Sequence, residues 1–224
     1  MSENIDNSTA FDLTLKHPRR WIIFGPSGCG KTCFVEKILT FSEDLFGSRF
    51  DNINYISGQG FPTIDHVFGV KIKKFKEIES EIIETMNPNE QNLLIFDDNM
   101  YVTNDKLLSD IFTKYSHHKN FTVILLLQNL FPKTKFSRDI SINSTYIVLM
   151  ANPRESIQIK RLSQQIDGTN FIYDCYKAET EDKLFSYLLL DFEQDTPIDI
   201  RYRSNIFPNE EMFIYVKKEK KPRY

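Results

Sequence analysis

The segment RRWIIFGPSGCGKT, residues 19–32, constrains the fold more than any other stretch of the chain. An apolar run, Trp21–Phe24, leads straight into Gly25, and the pattern GxxxxGK[ST] is met at Gly25, Gly30, Lys31 and Thr32. Apolar residues at helical spacing follow, at Val35, Ile38, Leu39, Leu45 and Phe46. A strand that turns through glycines into a helix is the context in which this pattern cradles phosphate. Glycine lets backbone N–H groups converge where a side chain would block the approach or forbid the dihedrals. The helix adds its positive dipole end. The loop Gly25, Pro26, Ser27, Gly28, Cys29, Gly30, Lys31 and Thr32 is therefore expected to bind the phosphates of ATP. Lys31 is placed to reach the β- and γ-phosphates, and the Thr32 hydroxyl to coordinate Mg²⁺. Three of the eight glycines fall between positions 25 and 30. A chance match to the four fixed positions arises in roughly one chain of this length per hundred.

Further apolar runs recur at Ile53–Ile56, Leu93–Phe96, Val123–Leu127 and Tyr146–Met150. They are short and nearly continuous, without alternation, as parallel strands buried on both faces require. Helical spacing between them, at Asp105–Tyr115 and Glu155–Ile166, predicts an α/β fold with a mostly parallel central sheet flanked by helices. After about residue 167 the pattern shifts. Phe185–Phe192 and Arg201–Val216 read as extra C-terminal strands, or a short addition to the same sheet. The expected organisation is a polar arm over 1–18, a P-loop domain over 19–216 and a basic tail over 217–224.

Composition narrows the function classes. Hydrophobic residues make up 41% of the 224, enough for a core and too many for wholesale disorder. No apolar run approaches the ~20 residues needed to span a bilayer, and the polar start, MSENIDNSTAFDL, does not read as a signal peptide. Cys29, Cys33 and Cys175 show neither CxxC nor zinc spacing, which points to a reducing intracellular setting. A net charge of −3 argues against simple DNA coating, but a ring-shaped motor needs only a local basic patch.

NLLIFDDNM ends a buried strand on two acids. Carboxyl ends of strands face the ligand crevice of an α/β sheet, so Asp97 is expected to hold Mg²⁺ and Asp98 to act as general base on the attacking water. The run FTVILLLQNLF puts Gln128 at the same edge, where an uncharged amide can sense the γ-phosphate and orient that water. For each of these residues a plain role, capping a turn or ending a strand, is the alternative reading.

In this order and spacing, GPSGCGKT, IFDD, SHHKNFTVILLLQNLFP and INSTYIVLMANPRE resemble the genome-packaging ATPases of the FtsK–HerA superfamily. The pattern is most similar to the poxvirus-type packaging ATPase of large DNA viruses, virophages and Polinton (Maverick) elements, and it extends from roughly Phe11 to Pro208. The resemblance implies an ASCE-type core, in which another strand separates the acidic strand from the P-loop strand, with Gln128 as sensor. It implies a homo-oligomeric ring, pentamer or hexamer, with sites at subunit interfaces. It also implies double-stranded DNA and capsid portal or vertex proteins as partners, in an infected host cell or a virion. The family generally carries Arg after the two histidines as a candidate trans-acting finger. Here Lys119 stands there and keeps the charge without the planar fork, while Arg154, in NPRE, matches the family pattern. His117 and His118 suit packing or an interface. The basic clusters Lys71–Lys76 and Lys133–Arg138 either line a DNA channel or form solvated faces. A P-loop nucleotide kinase, which would need an arginine-rich lid, and a nucleotide-gated assembly subunit with negligible turnover are the competing readings.

Overall fold

The computed structural model describes residues 12–78, 80–97, 105–116, 119–130, 137–152, 156–181 and 183–217. The strands are β1 (Arg20–Phe24), β2 (Asn52–Ser57), β3 (His66–Val67), β4 (Val70–Phe75), β5 (Asn92–Asp97), β6 (Phe121–Leu127), β7 (Tyr146–Met150), β8 (Tyr187–Asp191), β9 (Tyr202–Ser204) and β10 (Phe213–Ile214). The helices are α1 (Lys31–Thr40), α2 (Ser42–Phe46), α3 (Ser80–Glu84), α4 (Asp105–Asp110), α5 (Ser137–Ile142), α6 (Ser156–Asp167) and α7 (Phe171–Thr180); α4 continues as a π-helical turn over Ile111–Tyr115.

Among the described residues the strands form one ten-stranded sheet in the order β10-β9-β8-β7-β1-β6-β5-β2-β4-β3. The six from β7 to β4 run parallel. Antiparallel strands extend both edges, β8, β9 and β10 on one and β3 on the other. Both faces are covered, which is why the central strands lack alternation. Ile22 and Phe24 of β1 pack in one layer with Leu108 and Phe112. Trp21 and Ile23 pack in the other with Phe34, Val35, Ile38 and Leu39 of α1.

The predicted central strands are present with ends moved by one or two residues. The expected strands after residue 167 join the same sheet at β8, β9 and β10. Five described elements were not anticipated: the short β3, α3 and α5, and the two larger ones, β4 and α7. KIKKFK forms most of β4, with Ile72 buried and Lys71, Lys73 and Lys76 exposed. Helix α7 fills Phe171–Thr180, burying Ile172, Cys175, Tyr176 and Glu179. Glu179 accepts hydrogen bonds from Ser204 Oγ at 2.9 Å and Tyr215 Oη at 2.6 Å, which ties α7 to the antiparallel edge. Among the described residues no helix is long and apolar enough to cross a membrane.

Candidate nucleotide-binding site

The strand order decides which side chains meet. β6 lies between β1 and β5, pairing Phe24 with Leu127 and Phe96 with Leu125. The parallel strands therefore bring the loop after β1, the end of β5 and Gln128 to one edge. The Gly25 N–H donates to Leu127 O at 3.0 Å, fixing the loop's start to the end of β6. A cleft of about 460 Å³ opens there, lined among others by Gly30, Lys31, Thr32, Asp97 and Gln128.

The loop's glycines are required by contact and by dihedral. A Cβ on Gly25 would stand 2.5 Å from Cys29 Sγ and 2.7 Å from Met150 Cβ. Gly30 caps α1 at φ 94°, in the left-handed region that favours glycine. It supplies no side-chain cap, so the first N–H groups of the helix are left for an anion. Lys31 Nζ donates to Gly25 O at 2.7 Å and Pro26 O at 2.8 Å. An ammonium has three donors, so the loop holds the charge over its own centre with one N–H in hand.

Thr32 Oγ1 donates to Asp97 Oδ2 at 3.2 Å, and Tyr55 Oη donates to the same oxygen. Burial and the Asp97 charge push the Tyr55 phenol up, so it stays a neutral donor. Hydroxyl and carboxylate oxygens converging beside a phosphate cradle are a donor set that fits Mg²⁺, which takes few protein oxygens and keeps several waters. Ser57, in register with Asp97 across β2 and β5, faces the same cleft.

No family model matches the sequence, and neither does any curated protein. The structure does find neighbours. The genome packaging NTPase B204 from Sulfolobus turreted icosahedral virus 2, in complex with ATP-gammaS, matches at TM-score 0.54 and 10% identity, over 88% of this chain and 96% of that one. With sulfate the values are 0.52 and 9%, over 90% and 98%. With AMPPCP they are 0.51 and 10%, over 90% and 98%. This chain has the fold of a P-loop NTPase.

Within that fold, the predicted site residues Gly25–Thr32, Asp97 and Gln128 lie together. Lys119 does not join them. It precedes β6 and stands at the opposite end of the sheet, where its Nζ donates to Glu84 O at 3.3 Å. Asp98, His117, His118 and Arg154 lie outside the described residues, as do positions 133–136 of the second basic cluster. Sequence reasoning missed Tyr55, Ser57 and Phe185. Ser57 carried a signal, being a polar residue at the carboxyl end of an apolar strand.

Proposed function

We propose that this chain is an ATPase (ATP and water to ADP and phosphate) working as a motor that drives double-stranded DNA into a preformed viral capsid. The observation that supports this most is the insertion of β6 between β1 and β5, which puts Lys31, the Thr32–Asp97 pair and Gln128 around one cleft. The fold is shared over nearly the whole length of a protein named as a genome packaging NTPase. In this reading the backbone of Gly25–Thr32 binds the phosphates and Lys31 holds the β/γ charge. Thr32 and Asp97 would hold Mg²⁺, which would supply positive charge against the phosphates. Gln128 orients the water. Asp98 takes its proton as oxygen attacks the γ-phosphorus, and the bond to the β–γ bridging oxygen breaks to release ADP and phosphate. The P-loop unit over 19–216 assembles into a ring acting inside the infected cell against portal or vertex proteins. The lysines of β4 are candidates for the DNA channel.

The test is phosphate release measured alone, with DNA and with a nucleoside monophosphate. DNA is expected to stimulate it, with the stimulation fading steeply as salt rises because the contacts are to phosphates. Transfer to the monophosphate would establish a kinase, and binding without turnover would establish an assembly switch.

A further inference from the structure

A second cavity, of about 640 Å³, adjoins the phosphate cleft and shares Gly28 and Phe185 with it. It lies between the end of β7 and α7, walled by Ala151, Tyr173, Tyr176 and Leu184. Its floor is rigid. Tyr176 Oη accepts from Asn152 N at 2.7 Å and donates to Met150 O at 3.2 Å, pinning the chain just after β7 to α7.

Phe185 stands on the boundary between the two cavities. Its ring packs on the P-loop, with Cδ1 3.0 Å from where a Cβ on Gly30 would lie, yet the residue is 64% exposed. It holds φ 60°, a conformation that a bulky side chain adopts rarely. Burial does not account for a strained and exposed aromatic ring. Strain of this kind gathers where a side chain is held ready for a ligand, and the ligand chemistry is set by the neighbouring cleft. A molecule whose phosphates fill Gly25–Thr32 must carry its remaining part out past one rim of the loop. On the Gly28 rim that part meets an aromatic face, an apolar wall and room for a purine with its sugar.

We propose that this second cavity receives the base and ribose of a purine nucleoside triphosphate, with Phe185 as the platform on which the base stacks. The proposal rests on the nucleotide reading of the P-loop given above. It makes Phe185 a determinant of affinity for the nucleoside part, separate from the residues that bind phosphate. The exposed Leu184, at 87%, extends the apolar wall.

Equilibrium binding by calorimetry, with Mg²⁺ present, separates the parts. The ligands are a non-hydrolysable ATP analogue and inorganic tripolyphosphate, which has the phosphates without the base. Phe185→Ala is expected to weaken the analogue about tenfold, the scale of one lost base–aromatic stack, and to leave tripolyphosphate unchanged. Phe185→Trp is expected to restore the analogue's affinity and to change its indole emission with the analogue alone. Trp21, the sole native tryptophan, is buried in the core and gives no such signal. Equal weakening of both ligands would show that Phe185 only shapes the loop, and would overturn the proposal. So would an unchanged analogue affinity with loss of self-association, which would make the cavity a seat for a second copy of the chain. A wild-type protein that binds neither ligand, or Lys31→Ala protein that still binds both, would strike the nucleotide reading itself.

Discussion

In the proposed function Lys31, Asp97 and Asp98 divide the work of the site, so their variants are expected to fail in different ways. Lys31→Ala removes the charge held over the loop by Gly25 O and Pro26 O. Loss of one preorganised contact of this kind costs ~10²–10³ in rate, so folded Lys31→Ala protein is expected to be nearly silent in phosphate release. Asp97→Asn takes away the negative charge on the acceptor shared by Thr32 and Tyr55, and is expected to raise the Mg²⁺ needed for nucleotide binding. Tyr55→Phe should raise it by less, because Thr32 remains. Asp98→Asn is expected to keep affinity and lose turnover, since a base acts on the water and not on ground-state binding. Titrating Mg²⁺ in a binding assay beside a turnover assay tells these apart, and identical behaviour of the two aspartate variants would refute the division. The backbone half of the site was legible in the sequence because glycine spacing is a local property. Tyr55 was not legible. It sits in a strand as one more buried aromatic, and only the β2–β5 pairing aims its hydroxyl at Asp97.

At the scale of elements, the parallel core was readable and the edges were not. A strand buried on both faces declares itself as an unbroken apolar run, as LLIF and VILLL do. β4 carries three lysines around Ile72 and Phe75, so its charge hid its pairing with β2. Helix α7 holds two tyrosines and a buried glutamate whose partners, Ser204 and Tyr215, lie 25 and 36 residues away. The antiparallel edge also contains a buried ion pair. Arg203 donates to Asp191 at 2.5 Å and to Leu13 O at 3.1 Å, with both charged side chains almost wholly buried. Breaking such a pair from one side costs about 3–5 kcal/mol, so Arg203→Leu is expected to lower the unfolding free energy by that order in a denaturant titration. The pH dependence gives a second check. Burial already raises the Asp191 carboxyl above its ordinary 3.8, against the pull of Arg203, and removing the guanidinium raises it further. Between the ordinary value and the folded one the native state then binds more protons than the unfolded state. The deficit of Arg203→Leu relative to wild type should therefore shrink as pH falls towards 4 and widen towards 7. A deficit independent of pH would mean that the loss is one of packing alone.

At the scale of the whole molecule, the placement of Lys119 limits what it can do. Gln128 follows β6 and faces the nucleotide cleft, whereas Lys119 precedes β6, a strand's length of about 20 Å away. It cannot touch a nucleotide bound to its own subunit, so any catalytic role must be exercised on a neighbour. A cation supplied to the γ-phosphoryl by a neighbouring subunit is worth ~10³–10⁵ in rate in related chemistry. Arg154 is the other candidate, and mixing experiments discriminate between them. If Arg154 acts in trans, Arg154→Ala protein is expected to fold, assemble and bind ATP, yet hydrolyse almost none. Adding Lys31→Ala subunits should then recover part of the turnover, because in a mixed ring one partner brings the intact pocket and the other the intact arginine. The same design with Lys119→Ala tests the lysine, and Lys119→Arg should maintain or raise turnover if that end of the sheet meets the next subunit's cleft. Full activity in Arg154→Ala would leave Lys119 as the remaining candidate. Full activity in both alanine variants would rule out both candidates and end the case for a trans-acting cation in this chain, leaving the γ-phosphoryl to the P-loop after β1 and the ends of β5 and β6.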